Sequence, residues 1–428
     1  DMKKIFLLSA VVCLFSCLTT SCIKMMQEAN EAEKVHMITV SYKVNAVTGF
    51  VPYNGEAEPD PTFQTKGLEV NFINYQEGSS FKATVGDNNI VSCSLTPGVY
   101  AVNVGGSVTT SKGTYRLNGS SLNVPFTKDV TPQDVESNPE YTINIRPAKV
   151  GSVLFSEIYY CGVAPYYFRD QTYTIYNNGQ EVFYLDGLCF AQLHPNIATT
   201  NLPSWPEEDG RENFVYGLVV WQFPGSGTQY PLQPGESVVV AQEAINHTVN
   251  NPASFNNSMS EWECWSGNAL RGNPDCPDMP YIFWWSPNKM QWLTSVFGAA
   301  FCLFRIDGAV VDKSYWEQPE HWQRVVGPSS TRYAKIPADA VLDGVELLTS
   351  MSALNMKRIP GFVDAGGTSV ETTYIGKSVS RKVIGKHTDG TPIYQDTNNS
   401  TNDFQVNDSP AIRRDGQKIP AWSRANTL

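Results

Sequence analysis

Val153-Leu-Phe-Ser-Glu-Ile-Tyr-Tyr-Cys-Gly162, followed by Thr172-Tyr-Thr-Ile-Tyr-Asn-Asn-Gly-Gln-Glu-Val-Phe-Tyr-Leu-Asp-Gly-Leu-Cys-Phe190, decides the fold. Val153 to Tyr160, Tyr173 to Tyr176 and Val182 to Phe190 are dense in β-branched, aliphatic and aromatic residues. Such side chains suit a pleated, half-buried surface. Asn177-Asn178-Gly179 separates the last two runs, and Asn and Gly readily take the positive φ of a hairpin turn. Asp186-Gly187 marks a second bend. The stretch is therefore expected to be two or three strands folding back on one another. With 32 Gly and 27 Pro punctuating the chain, an all-β protein is expected throughout.

The pattern opened here continues downstream. Leu232-Gln-Pro-Gly-Glu-Ser-Val-Val-Val-Ala241 reads as a turn and a strand, and Cys302-Leu-Phe-Arg-Ile-Asp-Gly-Ala-Val-Val-Asp312 as a hairpin. Ser378-Val-Ser-Arg381 reads as a closing strand. With Ser156-Glu-Ile158, Tyr176-Asn-Asn-Gly179 and Leu185-Asp-Gly-Leu188, these motifs stand in the order of the lamin-tail domain, which this part of the chain resembles. The resemblance implies an immunoglobulin-like β-sandwich that binds or scaffolds. It supplies no catalytic residue.

Residues 35–148 read as a separate strand-built unit. Val35 to Val44 is strand-like, and Leu68, Val70 and Phe72 alternate onto one face. Leu95-Thr-Pro-Gly-Val-Tyr-Ala-Val-Asn-Val104 resembles the closing hairpin of transthyretin-like, carboxypeptidase-regulatory-like sandwiches. In that motif the Pro-Gly turns the chain and the Tyr and Val side chains enter the core. Further strands are expected at 113–118 and 141–145. Pro147 to Gly151 is the expected joint, and 149–428 is the second sandwich. Residues 250–296 interrupt its pattern as a long insertion. They carry Trp262, Trp265, Trp284, Trp285 and Trp292, five of the ten tryptophans. Pro337 to Ser350 contains Asp343-Gly344 and favours a turn and strand over a helix.

The N-terminal residues point to an envelope protein. Lys3-Lys4 followed by an apolar run from Ile5 to Leu18 has the form of a secretory signal peptide, residues 1–21, outside the fold. Leu18-Thr-Thr-Ser-Cys22 resembles a lipobox, which implies diacylation of Cys22; Cys17 is the second choice, because the bulky Phe15 precedes it. Two acyl chains anchor a protein durably. Ile23 follows Cys22 in place of the Asp linked with inner-membrane retention, so the outer membrane is the expected location, with the facing open. Residues 22–34 form an acidic tether. No later apolar run is long enough for a spanning helix. A formal net charge of −11 without basic clusters points away from nucleic acid.

No catalytic constellation is legible. His36, His194, His247, His321 and His387 show no metal-ligand spacing, and there is no nucleophile elbow, Walker loop or dinucleotide fingerprint. The chain is expected not to be an enzyme and to need no cofactor. Asp396, Asn398 and Ser400 have the alternate spacing of a calcium loop. The run lacks a Gly at its sixth position and a Glu at its twelfth, where Asn407 sits, so a polar turn is preferred. Cys264 and Cys276 are the candidate disulfide pair, with free thiols the equal alternative. Three readings of the tryptophan-rich insertion stay open: a mini-core beneath a loop, a protein-docking surface, or a platform for a sugar or other planar ligand. Glu157, Asp186, Asp307 and Asp312 are the acids a hydrolase would need to bring together, and in turns such acids more often cap backbone.

The arrangement of lipobox, transthyretin-like sandwich and lamin-tail-like sandwich ending in Asp396-Thr-Asn-Asn-Ser-Thr-Asn-Asp-Phe404 resembles a Bacteroidetes lipoprotein family that carries a domain of unknown function. That resemblance implies the company of TonB-dependent outer-membrane transporters. Three functions follow as expectations. The first is a binding or accessory component of a TonB-dependent uptake system, with a barrel protein and a glycan or peptide ligand as partners. The second is a surface adhesion or glycan-binding module. The third is an envelope hydrolase.

Overall fold

The computed structural model describes residues 35–47, 63–111, 113–210, 212–264, 272–286 and 292–427. The chain forms two successive bodies, both built from sheets, in line with the tandem β-sandwich expectation.

The first body comprises β1 (Ile38–Ala46), β2 (Glu69–Asn74), β3 (Ser79–Thr84), β4 (Ile90–Leu95), β5 (Gly98–Gly105), β6 (Ser107–Thr110), β7 (Gly113–Arg116), β8 (Gly119–Phe126), β9 (Thr142–Ile145) and β10 (Ala148–Lys149). One sheet runs β4-β1-β9 and the other β3-β2-β5-β8. They enclose a core in which Tyr42, Phe72, Tyr100 and Phe126 meet edge to face or tilted. Val70 and Phe72 are fully buried, as their alternation requires. Pro97-Gly98 does not close a hairpin. β4 pairs with β1 whereas β5 pairs with β2 and β8, so the turn carries the chain from one sheet to the other. Tyr100 still enters the core, its hydroxyl donating to the Thr96 carbonyl at 2.6 Å.

The second body comprises β11 (Val153–Tyr159), β12 (Thr172–Asn177), β13 (Phe183–Tyr184), β14 (Cys189–Leu193), β15 (Phe214–Gln222), β16 (Pro231–Leu232), β17 (Ser237–Ala241), β18 (Trp262–Glu263), β19 (Tyr281–Trp284), β20 (Ala300–Phe304), β21 (Trp322–Gln323), β22 (Tyr333–Pro337), β23 (Val341–Glu346), β24 (Ser378–Arg381), β25 (Val383–Lys386), β26 (Pro392–Tyr394) and β27 (Phe404–Asn407). One large sheet runs β18-β17-β12-β11-β24-β27. The other runs β21-β22-β15-β14-β20-β23, with β19 beside β15. Phe155, Tyr173, Phe190, Trp221, Trp292 and Phe301 fill the space between them.

Two hairpins expected from the motifs are not formed, for one reason. Val182 to Phe190 does not fold back on β12, because both edges of β12 are occupied, by β11 and by β17. Asn177 instead donates from its amide to the carbonyls of Glu181 and Leu232, closing a loop that sends the chain to the opposite sheet. Likewise Val310 to Asp312 does not return along β20, whose edges are taken by β14 and β23. Val310 is left 84% exposed. The insertion 250–296 is not an external appendage: β18 lengthens the first large sheet and β19 pairs with β15 in the second.

The closing strand is fixed by a buried charge. Arg381 donates to Asp343, Asp396 and Asp403 and to the carbonyls of Phe155 and Gln395. The three carboxylates keep its guanidinium protonated, against the effect of burial.

The two bodies are packed together. Tyr75 and Ala101 of the first meet Leu348 and Leu354 of the second. Asn118 donates to the carbonyls of Thr397 and Asn398 at 2.5 and 3.1 Å, and Arg116 donates to that of Asp396. The Arg146 guanidinium lies 3.4 Å over the Phe362 ring. Gly361 meets the backbone of Ser120 so closely that any Cβ would collide with it.

Candidate functional site

Between the bodies lies a cavity of about 610 Å³, bordered by Ser120 and Leu122 on one side and by the segments around His194, Trp205 and Arg358 on the other. This is the size of a small-molecule site, and a domain junction is a common place for one. Its wall is built from β14, β15 and the loop joining them. Pro203 and Pro206 bracket Trp205. Pro fixes φ on either side of the ring, and the Val326 N–H holds the loop through the Ser204 carbonyl at 2.8 Å. Asp209 follows in a one-turn helix, Glu207–Asp209, and is buried. It accepts from the Tyr216 hydroxyl at 2.7 Å and from Gln323, and pairs with Lys335. Tyr216 is thereby locked, and Trp205 stacks on it with centroids 3.5 Å apart and planes 11° apart.

A second stack stands at right angles to the first. His194 directly follows β14, its N–H donating to the Tyr216 carbonyl at 2.7 Å, and its ring lies 4.0 Å from that of Tyr333. Trp205 meets His194 and Tyr333 edge to face, at 81° and 85°. Burial, with the nearby Arg358 cation, pushes the His194 pKa down to about 4, so the imidazole is neutral at pH 7. Its Nδ1 is buried without a hydrogen-bond partner among the described residues.

The cations of the wall are spent inward. Arg358 pairs with Glu346 at 2.7 Å and donates to the carbonyls of Pro195 and Leu347. Lys357 donates to the Ile359 carbonyl. Glu207 and Glu212, by contrast, are exposed at the rim. Glu212 sits at φ +64°, a conformation costly for a residue with a Cβ, and its carbonyl is held by Arg146 at 2.9 Å.

The residues singled out from the sequence fall elsewhere. Cys22 and Trp265 lie outside the described residues. Trp262 is buried against Phe223, Tyr230 and Trp422. Trp292 is buried against Tyr173, Phe190 and Trp221, with its indole N–H donating to Gln192 at 2.7 Å. Trp284 is half-buried, edge-on to Trp221 and Tyr281. Trp285 is 45% exposed. These rings do not form one surface: two are core, one is intermediate and one faces solvent.

The candidate disulfide is not formed. Cys264 and Cys276 are free, buried thiols whose pKa values burial pushes up, and Cys276 donates to the Ser260 carbonyl at 3.4 Å. In the candidate calcium loop, Asp396 faces Arg381, Asn398 donates to the Phe362 carbonyl, and the Ser400 hydroxyl donates to Asp364 at 2.6 Å. Among the described residues no three His, Cys, Asp or Glu side chains are grouped to hold a metal. The four acids are also dispersed. Glu157 pairs with Arg414 and accepts from Ser378. Asp186 accepts the N–H groups of Gly227, Gln229 and Tyr230. Asp307 is exposed, and Asp312 caps Ser314 and Tyr315.

The cleft has little local signature in the sequence. Leu202-Pro-Ser-Trp-Pro206 carries one signal, an aromatic held between two prolines. Nothing local announces that Tyr333 and Arg358 converge on His194.

Comparison with known proteins places this architecture. A family described as "Protein of unknown function (DUF4876)" matches residues 233–411. A crystal structure of a DUF4876 family protein from Bacteroides thetaiotaomicron is 37% identical; the match covers 91% of this chain and all of that one, with a TM-score of 0.62. A DUF3823 family protein from Parabacteroides merdae aligns at 8% identity over 48% of this chain and 81% of its own, with a TM-score of 0.15 that carries no structural argument. No curated protein matches the chain.

Proposed function

This chain belongs to the DUF4876 family, and from that premise we propose that it is a non-catalytic binding protein of the outer membrane, lipid-anchored through Cys22. On this reading it holds a small ligand in the cleft between its two bodies, as an accessory of a TonB-dependent barrel. One observation carries the binding reading. The cavity is lined by the rings of His194, Trp205 and Tyr216, with Tyr333 stacked on His194, and sits at a packed joint rather than a loose hinge. A preformed site of this kind binds without first paying to order its wall. His194 has rings and Arg358 as its neighbours, which supports holding over proton transfer. The lipobox pattern at Leu18 to Cys22 supports the anchor, and the uptake role rests on resemblance alone.

The adhesion reading has its own support in Trp285, which is exposed and is not one of the cleft-lining residues. One purification separates the two. The acylated protein and its Trp205→Ala variant are extracted from membranes, and the compounds released on denaturation are compared by mass spectrometry. A compound released only by the wild type, with a barrel protein co-purifying, is the expected result. Identical compounds from both proteins would remove the cleft from the account, and absence of any barrel protein would remove the uptake role.

A further inference from the structure

We infer that the cleft takes an organic cation, an amine or quaternary ammonium on an apolar skeleton; this rests on the cleft being the binding site.

The wall is rich in π faces and poor in hydrogen-bond donors. Tyr333 supports His194 from outside the lining, and among the lining rings Trp205 and Tyr216 are electron-rich and stacked on one another. Such rings attract a cation within about 6 Å of the centroid, Trp most strongly. Pro195, Pro203, Pro206 and Pro360 line the cavity and have no N–H to offer. The donors that could serve an anion are committed elsewhere: Arg358 to Glu346 and two carbonyls, Lys357 to the Ile359 carbonyl.

What remains at the rim is negative. Glu207 and Glu212 border the opening and are exposed. The nearest histidine is neutral at pH 7 and adds no repulsion toward a cation. An anionic ligand would face two carboxylates and no free cation among the described lining residues. A neutral sugar would find aromatic faces but few donors for its ring oxygens. An alkylammonium ligand matches every feature: methyl or methylene groups against the rings, positive charge toward Glu207 and Glu212.

Isothermal titration of the full-length acylated protein in detergent tests this with four probes: choline, cadaverine, methyl β-glucoside and inorganic phosphate. Choline or cadaverine should bind one to one, at least tenfold more tightly than the other two. Trp205→Ala should weaken that binding at least tenfold, while Trp205→Phe, which keeps a ring, should retain most of it. The double variant Glu207→Gln, Glu212→Gln should weaken it at least threefold and flatten its salt dependence. Binding of the glucoside or phosphate but not the amines, lost in Trp205→Ala, would overturn the cation and leave the cleft as the binding site. Amine binding unaffected by either set of variants would overturn the cation assignment to this cleft. Failure of both amines to bind the folded wild type would overturn it as well.

Discussion

Arg381→Met removes the cation that ties β24 to the rest of the second body. The side chain is 2% exposed and faces Asp343 at 2.7 Å and Asp396 and Asp403 at 3.3 Å, all three themselves buried. Breaking such a cluster from one side costs about 3–5 kcal/mol, because the carboxylates stay buried without their partner. Asp403 keeps hydrogen bonds from Thr397, and Asp343 keeps one from the Phe155 N–H, so part of the charge remains compensated. The loss should therefore fall near the middle of that range, about 4 kcal/mol at pH 8. Its pH dependence has a definite sign. Burial already pushes Asp343 up while Arg381 pulls it down, so in the variant the Asp343 pKa lies further above its unfolded value. A raised folded-state pKa stabilises below the unfolded value and loses that stability as pH rises through the folded one. The deficit should shrink by about half between pH 8 and pH 5. Urea unfolding followed by tryptophan fluorescence measures it. A deficit below about 1 kcal/mol, the same at both pH values, would refute the reasoning.

Three further outcomes follow from the same structure. Asp170, pushed up to about 6 by burial despite hydrogen bonds from Tyr159 and Ser254, favours the folded state below its ordinary pKa and loses that contribution as pH rises to about 6. Unfolding of wild type against Asp170→Asn should show the wild type losing about 2 kcal/mol relative to the variant between pH 4 and pH 7, and parallel pH curves would show that the carboxyl is not desolvated. Calcium should leave the melting temperature unchanged, since Asp396, Asn398 and Ser400 are committed to Arg381, the Phe362 carbonyl and Asp364; a rise saturating with calcium would show that the loop reorganises around a metal. Cys22→Ser should move the protein from the membrane to the soluble fraction on cell fractionation, and unchanged sedimentation with membranes would move the anchor elsewhere in the chain.

How far the sequence could be read depended on whether the deciding contacts were local. The strand at Val153, the alternation of Val70 and Phe72, and the strand after Pro337 were legible because apolar period and turn residues act within a few positions. Pairing partners were not. Asn177-Asn178-Gly179 is a competent hairpin turn, yet β12 has no free edge for the following segment, and a local motif cannot report an occupied edge. The tryptophans of the insertion were visible, but burial of Trp262 and Trp292 depends on β18 and β19 joining opposite sheets. The cleft was illegible for the same reason in a stronger form. His194, Tyr216, Tyr333 and Arg358 are brought together by β14, β15, β22 and the segment after β23, and Ser120 by the other body. Of the wall, only the Pro-Ser-Trp-Pro run has a sequence signature.

A crystal structure of the protein with the compound it retains from membranes is the direct test of the cleft. Ordered density against Trp205, between His194 and the Ser120 side of the cavity, is the predicted result. Density on the exposed face of Trp285, with the cavity filled only by water, would contradict it.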